Sequence, residues 1–276
     1  MKRLFVAISL LCVILAMNAK ECCVNVQGDT IKVPATYIKS PMKVTVIVPD
    51  DYCPKGEKAY PVVYLLNGYG GDYTSWPAIN TLDSLSSLYD MILVCPDGRD
   101  SWYWDSPIDP EMQMESFFIK ELVPYIDNNY RTIADANHRA IMGLSMGGHG
   151  ALWLGMRHSD VFGSAGSTSG GVNILPFSGK WEIAQRLGNY ETNKDVWKSH
   201  TIINLVDSLQ PGQINLIIDC GSEDFFAEVN ADLHQKLLDK KIPHDYISRP
   251  GKHNWAYWKN SVLYQLLFFN EIFKSK

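Results

Sequence analysis

Three observations predict that this 276-residue chain folds as an α/β protein around a mostly parallel sheet. From about residue 61 onward, short apolar runs alternate with longer helical patterns, the rhythm of strands joined by crossover helices. The earlier runs Val24–Val26, Ile31–Tyr37 and Met42–Val48 have period-two or β-branched character without helices between them, so the sheet begins antiparallel. Finally, Gly143-Leu144-Ser145-Met146-Gly147 lies between a strand-like run and a small-residue-rich helical one. That context puts a serine on a sharp strand-to-helix turn, where only glycine lets the flanking backbone crowd so closely.

Residues 1–19 stand apart from the fold. Lys2-Arg3 precede an apolar run, Leu4 to Met17, shorter than the roughly 20 residues of a membrane span, and Ala19 offers a cleavage position. They read as an export signal, leaving one domain over residues 20–276 and no membrane anchor after cleavage. Beyond the antiparallel start, strands are predicted at Pro61–Leu66, Met91–Cys95, His138–Met142, Val161–Ser167, Ile214–Cys220 and His244–Ser248. Helices are predicted near 77–89, 110–130, 145–158, 226–240 and 255–274, on both faces of the sheet. Residues 171–212 break the rhythm: Trp181, Leu187-Gly188-Asn189-Tyr190 and Trp197 occur there with no clear strand. An insert of that length between core strands is expected to form a small helical cap, with a surface excursion as the alternative.

The formal charge is −5, and loss of Lys2 and Arg3 with the signal makes it −7. A mildly acidic chain without a Lys/Arg run has no electrostatic footprint for nucleic acid or anionic lipid. The cysteines show no C-x-x-C or Cys/His metal spacing, so no metal site is expected. Cys95 and Cys220 lie in apolar strand-like runs and read as buried thiols, while Cys22 or Cys23 could pair with Cys53 in an oxidising compartment.

A serine hydroxyl needs a base to take its proton, usually a histidine oriented by a carboxylate. In α/β-hydrolases the chain order is Ser, acid, His. His253 is the candidate base because it alone lies in a turn after the last predicted strand, in Arg249-Pro250-Gly251-Lys252-His253-Asn254-Trp255. His149, one helical turn past Ser145, His234 in a helix and His244 in a strand read as structural. Asp224 is the preferred acid in the loop after Ile214–Cys220, with Asp219 and Glu223 as alternatives. The oxyanion donors are expected to be the N–H of Met146 and, in the glycine-rich loop Leu66-Asn67-Gly68-Tyr69-Gly70-Gly71, that of Tyr69. Trp102, Tyr103 and Trp104 crowd a polar loop and, with Asp105 and Trp255, are expected to line a substrate pocket; packing beneath the cap is the alternative.

These segments, with Glu121-Leu122-Val123-Pro124-Tyr125-Ile126 and Gly221-Ser222-Glu223-Asp224, recur together in a known group. The chain resembles the putative-esterase (esterase D-like) family of α/β-hydrolases, over roughly residues 35–274. That family includes feruloyl and acetylxylan esterases of carbohydrate esterase family one, S-formylglutathione hydrolases and mycolyltransferases. The resemblance implies the α/β-hydrolase fold, with Ser145 as nucleophile, Asp224 as acid, His253 as base and the Tyr69 and Met146 amides as oxyanion hole. Many members have His-Gly where this chain has Asn67-Gly68; the donors are backbone groups, so little change in chemistry is expected.

An exported serine esterase cleaving feruloyl or acetyl groups from plant cell-wall polysaccharide is therefore expected, with no cofactor. A short-chain acyl esterase of tributyrin type and a formylglutathione-type thioesterase are the enzymatic alternatives. A non-catalytic carbohydrate-binding protein on a hydrolase fold is the alternative of another class, and it would be expected to lack a triad member or the oxyanion glycines.

Overall fold

The computed structural model describes residues 28–276. Its strands are β1 (Asp29–Val33), β2 (Met42–Ile47), β3 (Val62–Leu66), β4 (Ile92–Pro96), β5 (Arg139–Leu144), β6 (Ser164–Thr168), β7 (Asn215–Gly221) and β8 (Asp245–Arg249). They form one sheet in the order β1-β2-β4-β3-β5-β6-β7-β8. The pairs β1–β2 and β2–β4 are antiparallel, and every later pair is parallel. The fold is that of the α/β-hydrolases.

The helices are α1 (Leu82–Tyr89), α2 (Met114–Phe117), α3 (Val123–Asn129), α4 (Met146–Arg157), α5 (Ile183–Leu187), α6 (Lys194–Ser199), α7 (Ile202–Leu205), α8 (Ala227–Asp239) and α9 (Trp255–Lys274). Alternation along β3 shows how they divide. Val62, Tyr64 and Leu66 pack with α2, α4 and the 171–212 segment, whereas Val63 and Leu65 pack with Leu82 and Leu85 of α1 and Val262, Leu266 and Phe269 of α9. Each fully buried side chain of this size stabilises the fold by about 1.5–3 kcal/mol.

Several boundaries differ from the sequence expectation for local reasons. β1 stops at Val33 because Pro34 has no N–H to give to the ladder. The helix expected over 110–130 begins at Met114 and contains a π-turn, Phe118–Leu122, between α2 and α3. Pro124 accounts for the interruption: it cannot donate to the Lys120 carbonyl, and its ring crowds that carbonyl. The segment 171–212 is helical, with α5, α6 and α7 joined by short turns and with Ile183, Leu187, Trp197 and Ile202 buried. The export signal at 1–19 and the strand expected at Val24–Val26 lie outside the described residues.

Cys95 and Cys220 are free and buried, and burial pushes both thiols up. Cys53 is disulfide-bonded; its expected partners, Cys22 and Cys23, lie outside the described residues. Among the described residues no helix is long and apolar enough to cross a membrane, and no group of three His, Cys, Asp or Glu could hold a metal ion.

Candidate active site

The parallel strands all point their C-terminal ends at one edge, and the loops leaving four of them meet there. β5 runs directly into Ser145, whose backbone sits at φ 56° and ψ −117°. Two contacts force that turn. A Cβ on Gly143 would lie 2.3 Å from the Gly147 carbonyl oxygen, and one on Gly147 would lie 2.3 Å from the Leu66 carbonyl oxygen. Neither position admits a side chain. The Ser145 N–H donates to the Thr168 carbonyl at 3.0 Å, which pins the turn to β6.

The loop after β7 supplies Asp224 and the loop after β8 supplies His253. His253 Nε2 lies 2.9 Å from Ser145 Oγ, and His253 Nδ1 lies 3.0 and 2.9 Å from the two carboxylate oxygens of Asp224. A carboxylate can only accept, so Nδ1 carries the proton and Nε2 is left to accept from the serine hydroxyl. The Asp224 side chain is fully buried and its Oδ1 also accepts from the Phe226 N–H at 2.8 Å. Phe225, with ring centroids 4.2 Å apart, and Trp258, edge-on at 4.9 Å, hold the imidazole between them.

The other two carboxylates of that region are occupied elsewhere. Asp219 is buried and bonds Arg249 at 2.7 Å, Ser261 at 2.8 Å and the Tyr257 hydroxyl, tying β7 to α9 beneath the site. Glu223 is exposed and faces Lys252 across 3.7 Å.

The glycine-rich loop after β3 passes against the serine turn: a Cβ on Gly68 would lie 3.3 Å from the Ser145 Cβ. Among the described residues no acceptor is bonded to the N–H of Tyr69 or Met146, so both are available as donors. A cleft of about 430 Å³ opens over Ser145 and His253, walled by Tyr69, Trp181, Phe225, Trp255 and Trp258. A half-buried serine and histidine backed by a buried carboxylate at the floor of such a cleft can deprotonate a hydroxyl and hold the resulting imidazolium, the requirements of acyl transfer.

Residues 35–269 match the family described as "Putative esterase". The chain belongs to that family. It is 28% identical over 238 residues to an esterase of Mycobacterium tuberculosis, covering 76% of this chain and 52% of the relative, so it spans about half the length of that protein. An acetyl esterase of Caldicellulosiruptor saccharolyticus is 27% identical over 212 residues, covering 72% of this chain and 79% of the other. A solved ferulic acid esterase superposes with a TM-score of 0.77 at 28% identity, over 90% of this chain and 99% of that one.

Ser145 and His253 thus line one cleft with Asp224 hydrogen-bonded behind them, and Met146 follows Ser145 as a buried residue at the start of α4. Tyr69 and Trp255 line the cleft too. Trp102, Tyr103 and Trp104 do not. All three are buried. Trp102 stacks on Trp104 at 5.5 Å, the Trp104 indole N–H donates to His149 Nε2 at 2.9 Å, and the Tyr103 hydroxyl donates to the Asn67 carbonyl at 3.0 Å. Each polar tip found an internal acceptor, so the rings went inside. Asp105 also faces elsewhere, accepting from the Ser116 N–H at 2.8 Å and its hydroxyl at 2.6 Å. The aromatic walls the sequence reasoning missed are Trp181, from the insert, and Phe225. Adjacency to Asp224 was a usable signal for Phe225; the aperiodic insert offered none for Trp181.

Proposed function

We propose that the protein is an exported serine carboxylic-ester hydrolase that works through an acyl-enzyme. The observation behind this reading is the unbroken Ser145–His253–Asp224 hydrogen-bond chain at the floor of the cleft. His253 Nε2 takes the Ser145 proton as Oγ attacks the ester carbonyl. The N–H groups of Tyr69 and Met146 receive the oxyanion, and Asp224 stabilises the imidazolium. His253 then protonates the leaving alcohol, and water repeats the sequence on the acyl-enzyme to free Ser145. The chain supplies every group this route uses, without a cofactor.

The substrate we propose is a feruloyl or acetyl ester on plant cell-wall polysaccharide. Supporting it are the aromatic walls Trp181, Phe225, Trp255 and Trp258, which suit a flat acyl group or a sugar face. The names of the acetyl and ferulic acid esterases to which the chain is similar point the same way. The leader-like residues 1–19 and the disulfide at Cys53 support export to an oxidising compartment, and the helical 171–212 insert, which sends Trp181 into the cleft, is the proposed cap.

Rates on methyl ferulate, acetylated xylan and p-nitrophenyl butyrate test the substrate. The expected result is a higher kcat/KM on methyl ferulate or acetylated xylan than on the butyrate. Turnover confined to the butyrate would instead mark a general short-chain esterase.

A further inference from the structure

We propose that the loop 97–103 is the brace of the oxyanion hole, with Asp100 and Tyr103 as its positioning residues and Arg186 as its anchor in the insert. The inference rests on the ester-hydrolase reading, which makes the Tyr69 and Met146 N–H groups the donors.

Tyr69 lies between two residues that this loop holds. On one side, buried Asn67 accepts the Gly98 N–H at 2.8 Å and the Tyr103 hydroxyl at 3.1 Å through Oδ1, and its carbonyl accepts the same hydroxyl at 3.0 Å. On the other side, the Gly70 N–H donates to Asp100 Oδ1 at 2.9 Å. The oxyanion loop carries glycine at 68, 70 and 71 and has little stiffness of its own. Its own bonds, from the Gly71 N–H and Asn67 Nδ2 to the Gly68 carbonyl, both at 3.0 Å, do not fix Gly70, and the contacts from loop 97–103 supply that restraint.

The same tyrosine packs against the helix that carries the second donor. A Cβ on Gly150, one helical turn beyond Met146 in α4, would lie 2.2 Å from the Tyr103 ring. A Cβ on Gly98 would lie 2.0 Å from its hydroxyl. One ring thus packs against the frames of both amides and spaces one from the other. Trp102 and Tyr103 are held at φ 56° and 64°, a sparsely populated region for such residues that persists only when the surroundings over-determine it. Ser101 Oγ helps hold this turn, accepting from the Tyr103 N–H at 3.0 Å and donating to the Gly98 carbonyl at 2.6 Å.

Arg186 of α5 ties the brace to the insert, donating through Nε to the Asp100 carbonyl at 3.1 Å and through an Nη to Asp109 at 3.0 Å. The Tyr69 phenol is raised by desolvation and by the nearby carboxylates of Asp100 and Glu182. The aromatic loop so acts on the reaction through backbone placement, without touching substrate.

The test compares Asp100→Ala, Asp100→Asn and Tyr103→Phe with wild type on p-nitrophenyl acetate, with Ser145→Ala alongside. Loosening the donors should lower kcat by about 10- to 100-fold in Asp100→Ala and Tyr103→Phe, as expected for displacement of order 1 Å, while KM stays nearly constant. Affinity for phenylboronic acid, whose tetrahedral adduct puts an oxygen in the hole, should fall by a similar factor. Asp100→Asn, whose amide oxygen still accepts from Gly70, should restore most of the rate. Wild-type kcat in Asp100→Ala and Tyr103→Phe, with Ser145→Ala inactive, overturns the brace and leaves the hydrolase reading standing. A loss that tracks a lowered Tm, spares boronate binding and is not rescued by Asp100→Asn also overturns it. Full activity in Ser145→Ala would instead remove the hydrolase reading itself.

Discussion

Ser145 spends stability on exposure. Its positive φ costs of order 1–3 kcal/mol, and that cost is met by the tight packing at Gly143 and Gly147 and by the bond to Thr168. Position also separates the two aspartates of β7 and its loop. Asp224 faces the imidazole, whereas Asp219 faces Arg249, Ser261 and Tyr257. Asp224→Asn is expected to lower kcat by about 10³- to 10⁴-fold with little change in Tm, because the imidazole loses its orienting acceptor. Asp219→Asn removes one member of a buried charge network and should destabilise by about 3–5 kcal/mol, leaving kcat of the folded protein near wild type. Kinetics with p-nitrophenyl acetate and thermal melts on both variants check this pair, and the reverse pattern would reassign the acid. The chain order Ser, acid, His made Ser145, Asp224 and His253 legible in the sequence, because each sits in a loop leaving the C-terminal end of a strand. The Trp102-Tyr103-Trp104 run misled for an equally local reason. Its polar neighbours suggested exposure, but Ser101 and Asp105 spend their hydrogen bonds inside the loop and on Ser116, and the ring heteroatoms of Tyr103 and Trp104 find buried acceptors.

At the scale of elements, the strands were legible because the continuous apolar runs of β3 and β4 match a sheet covered on both faces. The insert was expected to be helical from its length and lack of strands, but its separate helices were not legible, since α5, α6 and α7 are each too short to show a helical period. It nonetheless shapes the cleft. Trp181 and Glu182 both take left-handed backbone angles just before α5, and the Trp181 ring stacks on Phe225 at 5.8 Å and 20°. Specificity is therefore expected to depend on Trp181 and Phe225 and on no ring of the 102–104 run. Trp181→Ala should lower kcat/KM on methyl ferulate by about 5- to 10-fold, equivalent to roughly 1 kcal/mol of lost stacking, and spare p-nitrophenyl acetate, whereas Phe225→Ala also loses the ring packed on His253 and should lower both esters, methyl ferulate the more. Equal losses on both esters would make the pair a packing contact only.

Across the whole molecule, His149 joins α4, the aromatic loop and the insert. It accepts from Trp104 through Nε2 and donates from Nδ1 to the Gly171 carbonyl at 3.0 Å, so a second ring proton would point at an N–H. Burial holds it down to about 3, only partly opposed by the Gly171 carbonyl. Below pH about 6.5 the unfolded chain takes up this proton while the folded chain does not until about pH 3. Stability contributed by a depressed group is present above its unfolded value and is lost as pH falls, so the folded state weakens with acidification. His200, also lowered by burial, acts in the same direction. Burial alone would raise Glu115, but hydrogen bonds from His158, Arg157 and Trp153 outweigh it and hold it below 4.5, which extends the loss to lower pH. Urea unfolding should show about 2 kcal/mol less stability at pH 5 than at pH 6.5 from His149, and a flat profile would contradict its buried neutral state. Labelling by a fluorophosphonate, read by intact mass and peptide mapping, tests the Ser145–His253–Asp224 triad most directly. One adduct per chain is expected, on Ser145, absent in Ser145→Ala and strongly slowed in His253→Ala. Equal labelling of the Ser145→Ala variant, or none of the folded wild-type protein, would contradict it.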